Sequence, residues 1–166
     1  PRPRPSIALS NTVGRFADQI IATQSATQTI TVGNVGDAVL SLGSIVISGA
    51  NAADFSFMNG ATAPCSRDGQ LLNPGATCQV LLGFNPSTFG TKAARLHLPS
   101  DALNAVTVNA VELSGIGIAA PVPQVSLLTT AIGFGNAVLA GGAAPQSIVL
   151  TNTGTAPLLI TSIIAL

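Results

Sequence analysis

The sequence predicts an all-β fold, in which a complete β-sandwich precedes a second, incomplete copy of its own first strands. Two observations carry this prediction. Apolar and polar residues alternate in short runs rich in Val, Ile and Thr, and Gly, Asn, Asp and Pro separate these runs, a pattern typical of strands joined by turns. The chain also matches itself at a spacing of 118 residues, and such internal similarity indicates tandem modules.

About seven short runs predict strands before residue 120, which is the usual complement of a β-sandwich. The predicted strands are 6–9, 28–32, 39–48, 55–58, 78–84, 92–98 and 105–113. We expect a core that contains Phe16, which follows the first run, and residues on the apolar faces of the later runs, Ile30, Leu40, Phe55, Leu82, Phe84 and Leu96.

The internal match requires no gap and falls on residues that fix turns or fill cores. The matched pairs are Pro5 and Pro123, Leu9 and Leu127, Phe16 and Phe134, Gln28 and Gln146, Ile30 and Ile148, Asn34 and Asn152, Gly36 and Gly154, Leu40 and Leu158, and Ile45 and Ile163. We therefore divide the chain into a Pro/Arg tail (1–4), a complete domain (5–120) and the first strands of a truncated copy (121–166). The apolar run 156–166 is shorter than the roughly 20 residues that span a bilayer, and it aligns with the predicted strand 39–48.

Charge argues against nucleic acid as a partner. Six basic residues balance six acidic ones, and only 7% of the residues are charged, whereas nucleic-acid binding needs a basic patch. No ionisable side chain follows Glu112. The sequence also contains no Trp or Tyr, the residues that dominate many binding faces.

Two cysteines, Cys65 and Cys78, bracket a stretch that contains Gly69, Asn73, Pro74 and Gly75. They do not form a Cys-x-x-Cys metal motif. One interpretation is a pair of buried thiols. The other, which we favour, is a disulfide that staples this loop, which implies an oxidising compartment. We accordingly expect an extracellular, cell-surface or periplasmic location.

The titratable residues do not suggest catalysis. His97 is the single histidine, on a predicted strand where alternation places it opposite Leu96 and Leu98. The aspartates are scattered at turns, and Asp54 is expected either to act as a cap or to bond its own backbone there. Catalysis requires a cluster of tuned groups, so the sequence predicts neither an enzyme, nor a metal site, nor a cofactor.

The first copy resembles the abnormal-spindle/Hydin-type immunoglobulin-like domains, especially those of bacterial proteins labelled choice-of-anchor D. The segments that carry the resemblance are Asn34-Val35-Gly36, Ile47-Ser48-Gly49, Asp54-Phe55, Leu72-Asn73-Pro74-Gly75-Ala76-Thr77-Cys78, Phe84-Asn85-Pro86-Ser87-Thr88-Phe89-Gly90, Ala94-Arg95-Leu96 and Val111-Glu112-Leu113-Ser114-Gly115-Ile116-Gly117. The Phe-Gly pair expected after the first strand is Phe16-Ala17 here, although Phe134-Gly135 keeps it. The resemblance implies an immunoglobulin-like sandwich, typically repeated on exported bacterial proteins, and says little about function.

The incomplete second copy supplies the candidate interaction surface. Its apolar residues are Leu127, Phe134, Ile148, Leu150, Leu158, Ile160 and Ile163. We expect a protein partner to cover them: further repeats of the same chain, a neighbouring subunit or a larger complex. These expectations favour a structural repeat of a cell-surface or extracellular filament-like assembly. The alternative is an accessory subunit or adhesin segment that docks on a larger exported complex.

The first testable prediction concerns the two cysteines. Thiol titration of the denatured, unreduced protein should find no free thiol, because both sulfurs are in the disulfide. Closing a loop of this length contributes about 3 kcal/mol to the free energy of unfolding. Two titratable thiols would contradict the disulfide and weaken the inference of an oxidising compartment.

Overall fold

The computed structural model describes residues 2–136 and 139–164, and its chain divides into two units, Pro1–Ala119 and Ala120–Leu166. Residues 1, 165 and 166 lie outside the described residues, so the extreme ends of the predicted tail and of the final apolar run are not covered. The strands of the first unit are β1 (Ile7–Leu9), β2 (Val13–Arg15), β3 (Gln19–Ile20), β4 (Gln28–Asn34), β5 (Leu40–Leu42), β6 (Val46–Ser48), β7 (Phe55–Met58), β8 (Gln70–Leu72), β9 (Thr77–Phe84), β10 (Gly90–His97) and β11 (Ala110–Ile118). Those of the second unit are β12 (Val125–Leu127) and β13 (Leu150–Asn152).

Two sheets form the first unit. One has the antiparallel order β1-β4-β9-β7, and the other has the order β2-β11-β10-β6, with β3 continuing the parallel pairing of β2 along β11. Strands β5 and β8 pair with each other as a separate ribbon. Inward residues alternate with outward ones along the long strands, as β10 and β11 show most clearly. This is an immunoglobulin-like β-sandwich, as the sequence predicts.

The core of this sandwich centres on three aromatic rings. The centroid of Phe84 lies 4.9 Å from that of Phe55 and 5.6 Å from that of Phe16, within the range of favourable aromatic contacts. All seven predicted core residues are buried, which confirms that part of the prediction. Gly115 permits this arrangement, because a Cβ atom there would lie 2.5 Å from the Phe84 ring.

The predicted strand 39–48 is two strands in the structure. Its first half, β5, pairs with β8, and its second half, β6, pairs with β10 in the second sheet. Between them the Gly43 N–H donates to the carbonyl of Pro99 at 2.7 Å. The chain thus changes sheets within one apolar run, and a continuous alternation does not reveal such a crossing.

The predicted strand 105–113 is also wrong in its first half. Turns occupy residues 103–107, and β11 instead begins at Ala110 and continues to Ile118. The side chain of Asn104 explains the difference, since it accepts from the Ile7 N–H at 3.0 Å and donates to the Ile7 carbonyl at 2.8 Å. This bonding holds the segment against β1, and the apolar Val106 is exposed. The short strands β2, β3 and β8 were not predicted.

The two cysteines are joined in a disulfide in the structure, and their Cα atoms lie 4.9 Å apart. Cys78 lies on β9, and the Cys65 N–H donates to the carbonyl of Gln79, also on β9, at 2.9 Å. The bridge therefore fastens the loop after β7 to a central strand of the first sheet.

The second unit reproduces one strand pair of the first with the same register. Strands β1 and β4 pair Ile7 with Asn34, and β12 and β13 pair Val125 with Asn152. Each residue of the second pair follows its counterpart by 118 positions, which is the spacing of the sequence match. The predicted alignment therefore places its residues correctly for pairing over these strands.

We expect Phe84→Ala to lower the free energy of unfolding by about 3–5 kcal/mol, because it removes the ring at the centre of the core. Phe89→Ala is the matched control: Phe89 is exposed, and its loss should cost less than about 0.5 kcal/mol. Urea denaturation of both variants measures the difference. Equal effects would show that the ring of Phe84 is not a core anchor.

Candidate protein-interaction surface

The seven apolar residues predicted for this surface fall into two groups. Leu127 lies on β12, where its Cα is paired with that of Leu150 on β13, and Ile148 lies two residues before the start of β13. The other four, Phe134, Leu158, Ile160 and Ile163, lie outside strands. Among the described residues of 123–164, strands occur only at β12 and β13, so the expectation of strands is wrong for the other described residues.

The reason lies in the partners that the first unit uses. There, the strands that match residues 158–164 are β5 and β6, which pair with β8 and β10. Among the described residues, no strand pairs with residues 158–164 as β8 and β10 pair with β5 and β6. A strand needs a neighbouring strand to bond its backbone N–H and C=O groups. Residues 158–164 therefore have a sequence typical of strands but do not pair as strands among the described residues.

Matched positions differ sharply in exposure. Ile30 and Val32 on β4 are 0% exposed, whereas Ile148 is 54% and Leu150 38% exposed. Phe16 is 8% exposed and its counterpart Phe134 59%. Single apolar side chains on a surface are ordinary, but a contiguous apolar face indicates an interaction site. We call Ile148 and Leu150, with Leu127 paired beside them, the open face.

The turn beside the open face is formed in the same way as its counterpart. The Asn34 amide donates to the Ala38 carbonyl at 2.7 Å and its oxygen accepts from Gly36 N–H at 3.0 Å. Asn152 makes the equivalent bonds, to Ala156 at 2.8 Å and from Gly154 at 3.0 Å. This Asn-x-Gly turn is thus complete in the second unit.

Asn34 has one bond that Asn152 lacks. In the first unit the same amide also donates to the carbonyl of Leu72 at 2.9 Å, in a fully buried setting. Within residues 2–136 and 139–164, the Asn152 amide nitrogen has no second acceptor. Sequence reasoning identified the match of the two asparagines but not this difference, because it depends on a residue far away in the chain.

Asp54 and Lys92 are buried charged residues of the first unit, and they form an ion pair with each other. Asp54 was expected to bond its own turn, but it is buried beside Lys92, with the Lys92 Nζ 3.9 Å from its carboxylate. Its other oxygen accepts from Ser87 N–H at 2.9 Å, and Lys92 donates to Thr88 Oγ1 at 2.5 Å. The pair therefore secures the turn between β9 and β10. Alternation alone could have indicated Lys92, since it shares the inward face of β10 with Ala94 and Leu96.

His97 is half-buried on β10, and its Nε2 lies 2.8 Å from Ser48 Oγ on the neighbouring strand β6. Beside it, Arg95 and Glu112 form an ion pair across β10 and β11 with both side chains about half exposed. Among the described residues, no three His, Cys, Asp or Glu side chains gather as metal ligands would. No helix in the described part of the chain is long and apolar enough to cross a membrane.

The chain matches no protein-family description, and no curated protein resembles it in sequence. Solved structures do resemble it. A protein of unknown function from Porphyromonas gingivalis W83 is 13% identical, with a TM-score of 0.51 over 68% of this chain and 46% of that one. At this identity the likeness shows the fold alone.

Two other likenesses have lower TM-scores and carry no functional argument. The ASH/PapD-like domain 7 of human CEP192 is 15% identical, with a TM-score of 0.49 over 70% of this chain and 88% of that one. The VesB protease of Vibrio cholerae is 12% identical, with a TM-score of 0.47 over 67% of this chain and 32% of the protease.

We expect Lys92→Met to lower the free energy of unfolding by about 3 kcal/mol, because it leaves the Asp54 carboxylate buried without its counter-charge. Arg95→Met is the matched control, since it breaks a half-exposed pair and should cost less than about 1 kcal/mol. Denaturant unfolding compares them. Adding Asp54→Asn to Lys92→Met should recover part of the loss; a further drop of similar size would contradict the pairing.

Proposed function

We propose that this chain is a non-catalytic structural repeat module of an exported bacterial protein, and that it contributes to a cell-surface or extracellular filament-like assembly through its second unit. The open face is the observation that carries the proposal. Burying a Leu, Ile or Phe side chain that would otherwise be exposed stabilises by about 1.5–3 kcal/mol. Several such side chains are exposed together there, so association with another polypeptide segment is strongly favoured.

Repetition is supported by more than sequence. Three features of the first unit recur 118 residues later. They are the register of the strand pair, the Asn-x-Gly turn, and the close contact between the glycine of that turn and the segment that precedes the first strand. A Cβ on Gly36 would lie 2.3 Å from the Arg4 carbonyl oxygen, and one on Gly154 would lie 2.3 Å from that of Val122. The same close approach in both units argues for two copies of one module, and the sequence motifs favour the abnormal-spindle/Hydin type with the choice-of-anchor D label.

Export is supported by the disulfide between Cys65 and Cys78, since such bridges persist in oxidising compartments. A surface with few charges and many Thr, Ser, Ala and Gly residues suits an exported β-protein. The proposed location is therefore extracellular, on the cell surface or in the periplasm.

A non-catalytic role is supported by how the first unit uses its reactive groups. Asp54 and Lys92 hold a turn, the Asp101 carboxylate accepts from Ser41 N–H at 2.8 Å, and the cysteines are bridged. Each of these residues has a structural use, and catalysis would require groups free to act on a substrate. The alternative function, that of an accessory subunit or adhesin segment, would use the same open face but bind a larger exported complex instead of neighbouring repeats.

The test is to delete residues 121–166 and measure assembly by size-exclusion chromatography and electron microscopy. We expect a soluble, folded monomer that no longer assembles, because the first unit buries its own core and the deleted unit carries the open face. Thermal unfolding of the truncated protein serves as the control for folding.

Two outcomes would redirect the proposal. If the truncated, folded protein still joins its normal assembly, the second unit has no role in it and the proposal fails. Repeating head-to-tail contacts in the assembled form favour the structural role, whereas a single contact with a different protein favours the accessory subunit.

A further inference from the structure

We propose that the open face takes up one extended strand with the sequence pattern of β9, which pairs antiparallel with β13 and enters through a tight turn opposite Asn152. This inference rests on the proposed function, in which the open face is the interaction surface, and it specifies the chemistry of the occupant. The first unit shows what covers the matching face.

The first step concerns the free edge of the strand. In the first unit β4 lies between β1 and β9, and β9 pairs with it from Gln28 to Gly33. Among the described residues, β13 pairs with β12 alone. Since β12 and β13 keep the register of β1 and β4, the edge of β13 away from β12 corresponds to the edge of β4 that β9 occupies. An unpaired strand edge is a ready template for another strand.

The second step concerns the side chains. On β9, Val80 is the Cα partner of Ile30 and Cys78 is that of Val32. Ile148 and Leu150 occupy the positions of Ile30 and Val32, so an incoming strand meets apolar side chains at alternate positions. The inward residues of β9 are Cys78, Val80, Leu82 and Phe84, all of them buried. The occupant should therefore carry four apolar residues spaced two apart.

The third step concerns the asparagine. Besides the bond from its amide to Leu72, the Asn34 carbonyl accepts from Gly75 N–H at 2.9 Å, and its own N–H donates to the Ala76 carbonyl at 3.0 Å. One residue thus holds the whole turn that leads into β9. Asn152 has the register of Asn34, and within the described residues its amide nitrogen donates only to Ala156. Its other amide hydrogen can therefore bond a carbonyl of the occupant. By analogy with Leu72, which lies five residues before β9, that carbonyl should lie five residues before the occupant's strand begins.

The occupant is not β9 of a second copy. In each copy β9 already lies between β4 and β7 and is tied through Cys78 to Cys65. Donating it would open the first domain and expose Phe84 at the centre of its core. The geometry therefore favours a segment of another polypeptide, one that has the apolar pattern of β9 and is not β9 of a second copy.

The experiment uses the full chain and a synthetic peptide with the sequence of residues 72–84, in which Cys78→Val prevents thiol exchange. Hydrogen exchange followed by mass spectrometry or NMR reports where the peptide binds. We expect new protection in residues 147–152 and none in the sheets of the first unit. A scrambled peptide of the same composition should give no protection.

Two variants of the chain place the binding on one side of β13. Ile148→Asp should weaken peptide binding at least about tenfold, because it puts a charge on the face to be buried. Val149→Asp is the matched control, one residue away on the opposite face, and should change the affinity less than about twofold. Both variants lie in the second unit, so circular dichroism of the first unit's unfolding should not change.

Three results would overturn the inference. The peptide could fail to protect residues 147–152, the scrambled peptide could bind equally well, or the chain alone could form a dimer that already protects these residues, which would make a second copy the occupant. Each is separable from failure of the proposed function: loss of assembly on deletion of 121–166 with no peptide binding would keep the interaction surface and reject this occupant.

Discussion

The architecture of the first unit depends on the buried amide of Asn34. Its side chain closes its own turn through Ala38 and Gly36 and reaches across to Leu72, while its backbone bonds the turn that begins β9. A buried polar group of this kind is costly unless every hydrogen bond is made. Because several chain segments must be in place to satisfy it, this residue fixes the register of the first sheet as well as its turn.

The sequence predicted the class of fold and the core residues well, because alternation and large apolar side chains are local signals. It predicted strand boundaries poorly where contacts with residues distant in the chain determine them. The split of 39–48 depends on Pro99, and the late start of β11 depends on Asn104 bonding to Ile7. The parallel strands β2 and β3 contain only three and two residues, too few to show a period.

At the candidate surface, too, the sequence predicted features that local residues determine and missed those that depend on distant partners. Its apolar residues were found by matching the chain to itself, and the register of β12 with β13 agrees with that match. The sequence did not predict that 158–163 would lie outside strands, since those residues have the composition of a strand and, among the described residues, no strand pairs with them. The sequence likewise did not predict that Asp54 pairs with Lys92, because the pairing depends on how the turn between β9 and β10 lies beside the 3₁₀ turn at Ala52–Asp54.

The absence of ionisable side chains after Glu112 has a kinetic consequence for any association at the open face. Complementary charges accelerate encounter and make its rate depend on ionic strength. A face without them meets its occupant at the rate set by diffusion and orientation, about 10⁵–10⁶ M⁻¹s⁻¹ for uncharged partners. Salt and pH then have little influence on how quickly the contact forms, so the module can associate at a nearly constant pace when the solution around it changes.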